Sequence, residues 1–265
     1  AGSVKIDGSN LGSALAGTIP ATKLTANTAR GFSIVGYEAT GTAGTIAHGL
    51  SAAPEFIIIK HRDQAGAGWP VYFGDNTDVM YLGESYATGD DANAWNDTSP
   101  TSTVFSVGPN GGDTNNSLGG STIAYCFHSV SGYSKFGSFT GNGGSQAIDV
   151  GFTPAFVLMK RTNSSSWGIF DNTRQPANTG LQYISPNGTQ VETTNANMVF
   201  SGNTFNDNGY ISDNGETVIY MAFADTREAA FFKDVSSNGN HFTPVNLDYR
   251  DSVPDTPTNS FCTLN

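Results

Sequence analysis

Acids, amides and aromatic rings converge on one polar stretch, Tyr86-Ala87-Thr88-Gly89-Asp90-Asp91-Ala92-Asn93-Ala94-Trp95-Asn96-Asp97. An aromatic ring among carboxylates and amides is the chemistry of sugar recognition. The ring stacks on a pyranose face while the polar groups bond the hydroxyls. Trp95, Tyr86, Asp90, Asp91 and Asn93 are therefore the candidate receptor-contact residues, with Trp95 the expected exposed anchor. The competing reading packs Trp95 into its own domain or against a neighbouring subunit. Paired carboxylates such as Asp90-Asp91 could also serve glycosidic hydrolysis, which needs two carboxyls about 5–10 Å apart across a cleft. Adjacent loop acids more often cap turns, so no catalytic residue is assigned.

Other chemistry is sparse. The chain has no Gly-x-Ser-x-Gly elbow, phosphate loop, His-Glu-x-x-His pair or Cys-x-x-Cys. His48, His61, His128 and His241 lack metal-ligand spacing, which leaves them surface or turn roles. Asp113-Thr114-Asn115-Asn116, Asn206-Asp207-Asn208-Gly209 and Asp213-Asn214-Gly215-Glu216 offer oxygen ligands for calcium. None has the EF-hand register, and Asp-Asn-Gly is equally the chemistry of a tight turn. Neither a metal site nor a cofactor is expected.

The elements that must hold these residues are strands. In 265 residues, charged side chains are only 13%, glycine reaches 32, and the net charge is -11. That charge disfavours nucleic acid and anionic membranes, which are captured by clustered Lys and Arg. No apolar run approaches the roughly 20 residues of a membrane-spanning helix. Helical apolar spacing is confined to Leu11, Leu15 and Ile19, ended by Pro20. Asn-Gly pairs at 110–111, 142–143, 187–188, 208–209 and 214–215 mark tight hairpins. Cys126 sits in the apolar run Ile123-Ala124-Tyr125-Cys126-Phe127 and reads as a buried free thiol; a bridge to Cys262 is not expected.

An internal repeat organises these strands. Gly31-Phe32-Ser33 recurs as Gly132-Tyr133-Ser134, and Pro54-Glu55-Phe56-Ile57-Ile58-Ile59-Lys60 as Pro154-Ala155-Phe156-Val157-Leu158-Met159-Lys160. Trp69 is followed by Trp167, Asp75-Asn76-Thr77 by Asp171-Asn172-Thr173, and Val104-Phe105-Ser106 by Val199-Phe200-Ser201. The order is kept throughout, about 100 residues apart. Two homologous all-β units of sandwich or jelly-roll type follow, over 31–131 and 132–226. Trp69 and Trp167, at equivalent positions, are both expected to be core or half-buried. Trp95 has no counterpart.

Two flanks lie outside the repeat. In 1–30, Leu11, Leu15, Ile19 and Leu24 are too few for a core of their own. They are expected to form an extended, shaft-like oligomerisation segment. Residues 227–265 are Pro-rich and read as an extended linker or tail.

Several blocks carry a family resemblance. Gly31-Phe32-Ser33-Ile34-Val35-Gly36-Tyr37, His48-Gly49-Leu50 with Pro54 to Lys60, and Ile123 to Phe127 with Tyr133-Ser134-Lys135-Phe136-Gly137 resemble a domain of unknown function. That domain occurs in tail and fibre proteins of tailed bacteriophages, many of them marine. Gly17-Thr18-Ile19-Pro20-Ala21-Thr22-Lys23-Leu24 is similar to shaft repeats upstream of fibre heads. The ending Asn238 to Leu247 and Asp255 to Asn265 resembles the stretch before a SPRY-like sandwich in such proteins.

The resemblance implies a non-enzymatic protein at the virion surface, a homotrimeric tail-fibre or host-recognition component. Its partners would be itself, other virion tail proteins and a host cell-surface receptor. A neutral glycan fits the net charge best. The alternatives are a structural adaptor or head-decoration protein without receptor binding, and a glycan-degrading tailspike.

Overall fold

Phe56-Ile57-Ile58-Ile59 and its repeat Phe156-Val157-Leu158-Met159 are apolar on both strand faces, so each must be covered from two sides. Both are, in the computed structural model, which describes residues 3–11, 15, 17–109, 113–115, 119–174, 181–189, 191–209 and 213–225. The first strands are β1 (Val4–Ile6), β2 (Ser9–Asn10), β3 (Ala21–Asn27), β4 (Phe32–Ala39), β5 (Gly44–Ala47) and β6 (Phe56–His61). They continue as β7 (Pro70–Tyr72), β8 (Asp78–Tyr81), β9 (Gly89–Asp90), β10 (Val104–Val107) and β11 (Gly120–Phe127). A four-residue helix, α1 (Ala92–Trp95), lies between β9 and β10. Then come β12 (Ser134–Thr140), β13 (Ser145–Asp149), β14 (Pro154–Arg161) and β15 (Gly168–Asp171). The series ends with β16 (Leu181–Ile184), β17 (Thr193–Ser201), β18 (Thr204–Asn208) and β19 (Thr217–Ala224). Apart from α1 and a 3-10 turn at Thr28–Arg30, the regular structure of the described residues is all strand. The fold is all-β.

Three sheets form. A nine-stranded sheet runs β2-β1-β3-β4-β11-β6-β7-β8-β9, an eight-stranded sheet runs β12-β19-β14-β15-β16-β17-β18-β13, and β10 pairs with β5 alone. The order β4-β11-β6-β7-β8 in the first recurs as β12-β19-β14-β15-β16 in the second. The β5·β10 pair is matched in pairing by β13·β18, with Phe205 opposite Ile148 as Phe105 is opposite Ile46, whereas the sequence match of β10, Val199-Phe200-Ser201, lies in β17. The register recurs too: Phe127 faces Phe56, and Phe223 faces Phe156.

Alternation assigns each strand face to a core. Ile57 and Ile59 point into a first core with Val35, Ala124 and Cys126, closed by Ile46 and Phe105 of the β5·β10 pair. Val157 and Met159 point into a second, where the large sheet folds back on itself through Ile148, Phe200 and Phe205. Phe56 and Leu158 point into a third core between the two large sheets, with Met80, Phe136, Trp167 and Met221. Rings of Phe127 and Phe223, equivalent in the repeat, touch there at 6.2 Å. Gly31, in the left-handed region at φ 61°, turns the chain into β4; a Cβ there would stand 2.5 Å from the His128 carbonyl.

The described strands of residues 1–30 belong to the first sheet. β3 pairs with β4 and β1 lies parallel to β3, so Leu24 sits between Val4 and Val35. Ile19 and Leu24 enter the first core and Leu15 packs against it, which leaves Leu11 the exposed one of the four. The edge of β4 offers both backbone bonds and an apolar face, so burial is reached within one chain without further copies. Cys126 is a fully buried free thiol whose pKa burial pushes up to about 12. Cys262 and the stretch 227–265 lie outside the described residues.

Candidate functional site

The polar stretch singled out above becomes a loop that leaves the first sheet, crosses to the second, and returns. After β8, the Leu82 amide donates to Trp69 O at 2.9 Å. The Ser165 amide then donates to Ser85 O at 2.8 Å, and the Thr88 amide donates to Thr162 O at 2.7 Å. Between them the Lys160 ammonium donates to Tyr86 O at 2.8 Å. Pairing of β9 with β8, Asp90 opposite Asp78, brings the chain back.

Trp95 is not an exposed anchor. The Asp91 carboxylate accepts the Asn93 amide at 3.0 Å and starts a single helical turn, and Asn96 in the left-handed conformation ends it. That turn aims Ala94 and Trp95 inward. Trp95 is 1% exposed, edge-on to Tyr72 at 5.5 Å, and its indole N–H donates to Asp78 O at 3.1 Å. The packing alternative therefore holds within this domain. Of the other four candidates, Tyr86, Asp90 and Asn93 are exposed, Tyr86 by 68%, while Asp91 is half-buried as the helix cap.

Beside this loop a groove of about 650 Å3 opens between the two halves of the chain. Glu55, Tyr72, Asp75 and Thr88 line it from the first half, Ser138 and Thr162 from the second. Two of its acids, Glu55 and Asp75, hold backbone. The Glu55 carboxylate accepts the Ser129 amide. Asp75 accepts the Thr77 amide at 2.9 Å and the Thr77 hydroxyl at 2.8 Å, which hold its carboxyl below the usual range. Burial raises the Tyr72 phenol. Asp75 thus stays ionised at neutral pH, suited to accept hydrogen bonds and poorly suited to donate a proton. Repeat and composition did not point to Glu55 and Asp75, because the groove forms only where the two halves meet.

The histidines depart from a surface role. His48, His61 and His128 are all buried. His48 Nε2–H donates to Thr101 O at 3.1 Å while Nδ1 accepts the Leu50 amide, a neutral ring whose pKa burial lowers to about 4. His61 Nε2 donates to Gly119 O at 3.0 Å. His241 lies outside the described residues. The oxygen-rich segments are structural where they are described. Asn115 accepts the Thr40 amide and donates to Thr42 O and Gly108 O, and Asp213 pairs with Arg161. Among the described residues, no three His, Cys, Asp or Glu gather as metal ligands would.

A family described as Domain of unknown function (DUF7483) matches residues 7–227. The chain belongs to that family. No curated protein matches it. Among solved structures, the crystal structure of the major capsid protein P2 from Bacteriophage PM2 aligns with 71% of this chain and 94% of that chain, at 12% identity. Its TM-score of 0.23 is too low for that likeness to carry an argument.

Proposed function

We propose that this chain is a non-enzymatic structural protein of a bacteriophage particle, exposed on the virion and built from two homologous β-sandwich units. In this reading it is a homotrimeric tail-fibre or host-recognition component that binds a cell-surface receptor. The sequence blocks that resemble phage tail and fibre proteins supply the setting. The observation that carries a contact role is the loop after β8. It departs from its partner in the repeat, it is held against the second sheet, and it presents Tyr86, Asp90 and Asn93 to solvent beside the acidic groove.

A neutral glycan suits this surface. The Tyr86 ring offers a stacking face, and carboxylates and amides accept or donate to hydroxyls. Three copies would multiply a weak single-site affinity through effective concentration. Carboxylates engaged by backbone amides favour binding over hydrolysis. Replacing Tyr86 with Ala should reduce particle adsorption to cells severalfold while thermal stability stays unchanged, because the side chain is largely exposed. Full adsorption by Tyr86→Ala would overturn the contact reading.

A second reading, a structural adaptor or head-decoration protein, is favoured by the burial of Trp95, which removes the strongest aromatic from the contact surface. Under it, adsorption survives every substitution in the loop.

A further inference from the structure

We infer that Lys160 is the positioning residue of the Tyr86 loop: its ammonium, buried within the second sheet, grips the backbone of a loop that belongs to the first. Lys160 lies in β14 and is fully buried. Its Nζ donates to three carbonyl oxygens, Tyr86 O at 2.8 Å, Arg161 O at 3.1 Å and Asn163 O at 3.1 Å. An ammonium has three N–H donors and no acceptor, so the three carbonyls match it fully.

A charge is kept inside a protein only when such partners replace its water. Burial and the neighbouring Arg161 guanidinium lower the Lys160 pKa to about 8, so the group is still an ammonium at neutral pH. Arg161 itself pairs with Asp213. The two backbone bonds on either side, from Ser165 to Ser85 and from Thr88 to Thr162, fix the loop ends, and Lys160 fixes the carbonyl between them. Lys60, its counterpart in the repeat, donates only locally, to Ala67 O. The grip across the two sheets is thus particular to position 160. It orients Tyr86, and it holds the Thr88 rim of the groove against Thr162.

The inference stands on this geometry, and it deepens the receptor reading by naming what orders that surface. It is tested on the full chain at neutral pH. Proton-nitrogen spectra with labelled lysine should give Lys160 ammonium protons that exchange slowly with water, unlike those of the exposed Lys5. In Lys160→Met, hydrogen exchange at the Thr88 amide should accelerate roughly tenfold and chymotrypsin should cut after Tyr86, with β6 and β11 unaffected. Lys160→Gln, which keeps two N–H donors, should restore part of the protection. Unchanged Thr88 exchange in folded Lys160→Met would overturn the inference. If that variant does not fold, fast-exchanging Lys160 protons in the native chain would do so. A released loop with unchanged cell adsorption supports the grip and defeats the receptor reading alone.

Discussion

Trp69 and Trp167 stand at the same place in the repeat, each just before the strand that pairs with an apolar core strand. Trp69 is 37% exposed and Trp167 only 1%. The side of the sheet is the same: Val71, two residues after Trp69, and Ile169, two after Trp167, both belong to the core between the large sheets. What differs is the cover. The Trp167 indole donates to Tyr81 O at 2.9 Å, under the end of β8, where the crossing loop begins. Among the described residues no loop of the second half is seen to cover Trp69 in this way, and the Lys60 ammonium lies 5.5 Å from its ring centre. A repeated sequence therefore dictates strand and side, while burial depends on what the other half lays over it.

The largest expected effect follows directly. Trp167→Ala should cost about 3–5 kcal/mol in denaturant unfolding, the range for deleting a buried aromatic. Trp69→Ala should stay near 1 kcal/mol or below, as for a partly exposed side chain. Equal costs would mean that the two positions are covered alike, and the contrast would fail.

A second test separates the halves by pH. His48 follows β5 where Val150 follows β13, so a titrating ring stands in the first half at a place that is aliphatic in the second. With its folded pKa lowered to about 4 from an ordinary 6.5, His48 stays neutral where the unfolded chain takes up a proton. Stability should therefore be complete above pH 6.5 and fall as pH drops toward 4, by about 3 kcal/mol from this group. Unfolding measured across that window checks it, and His48→Val should flatten the slope. A slope unchanged in that variant would place the acid sensitivity elsewhere.

These contrasts mark what could be read in the sequence. The apolar runs before Lys60 and Lys160 are local signals, and strands stand there; Gly143 has the positive φ of 74° of a turn, but the strands it joins, β12 and β13, pair elsewhere, with β19 and β18, so Asn142-Gly143 marks a turn and not a hairpin. The sequence leaves Trp95 open between an exposed anchor and a packed ring, because its burial depends on a single helical turn. Asp91 and Asn96 cap that turn, but they look like ordinary loop residues. Ile19 and Leu24 seemed too few for a core because their neighbours, Ile46 and Val35, come from other strands. The histidines were equally illegible, since the carbonyls they bond, Thr101 O and Gly119 O, lie far along the chain. Lys160 left one usable trace: a lysine ending an otherwise apolar run needs buried acceptors.

The smallest expected effect concerns the lysine with a single local acceptor. Lys60 is half-buried, donates to one carbonyl of its own hairpin, and lies over a ring that is itself partly in water. A cation over an aromatic face at such a site contributes about 0.5–1 kcal/mol. Methionine keeps most of the aliphatic contact with Trp69, so Lys60→Met should lose no more than that, with no change in exchange at distant amides. Measured beside Lys160→Met by the same denaturant titration, it asks whether the shared Lys position matters in itself. A loss as large as that of Lys160→Met would say that it does, and that Trp69 is shielded in solution by something other than this one side chain. A small loss assigns the difference to the loop of the first half that Lys160 grips.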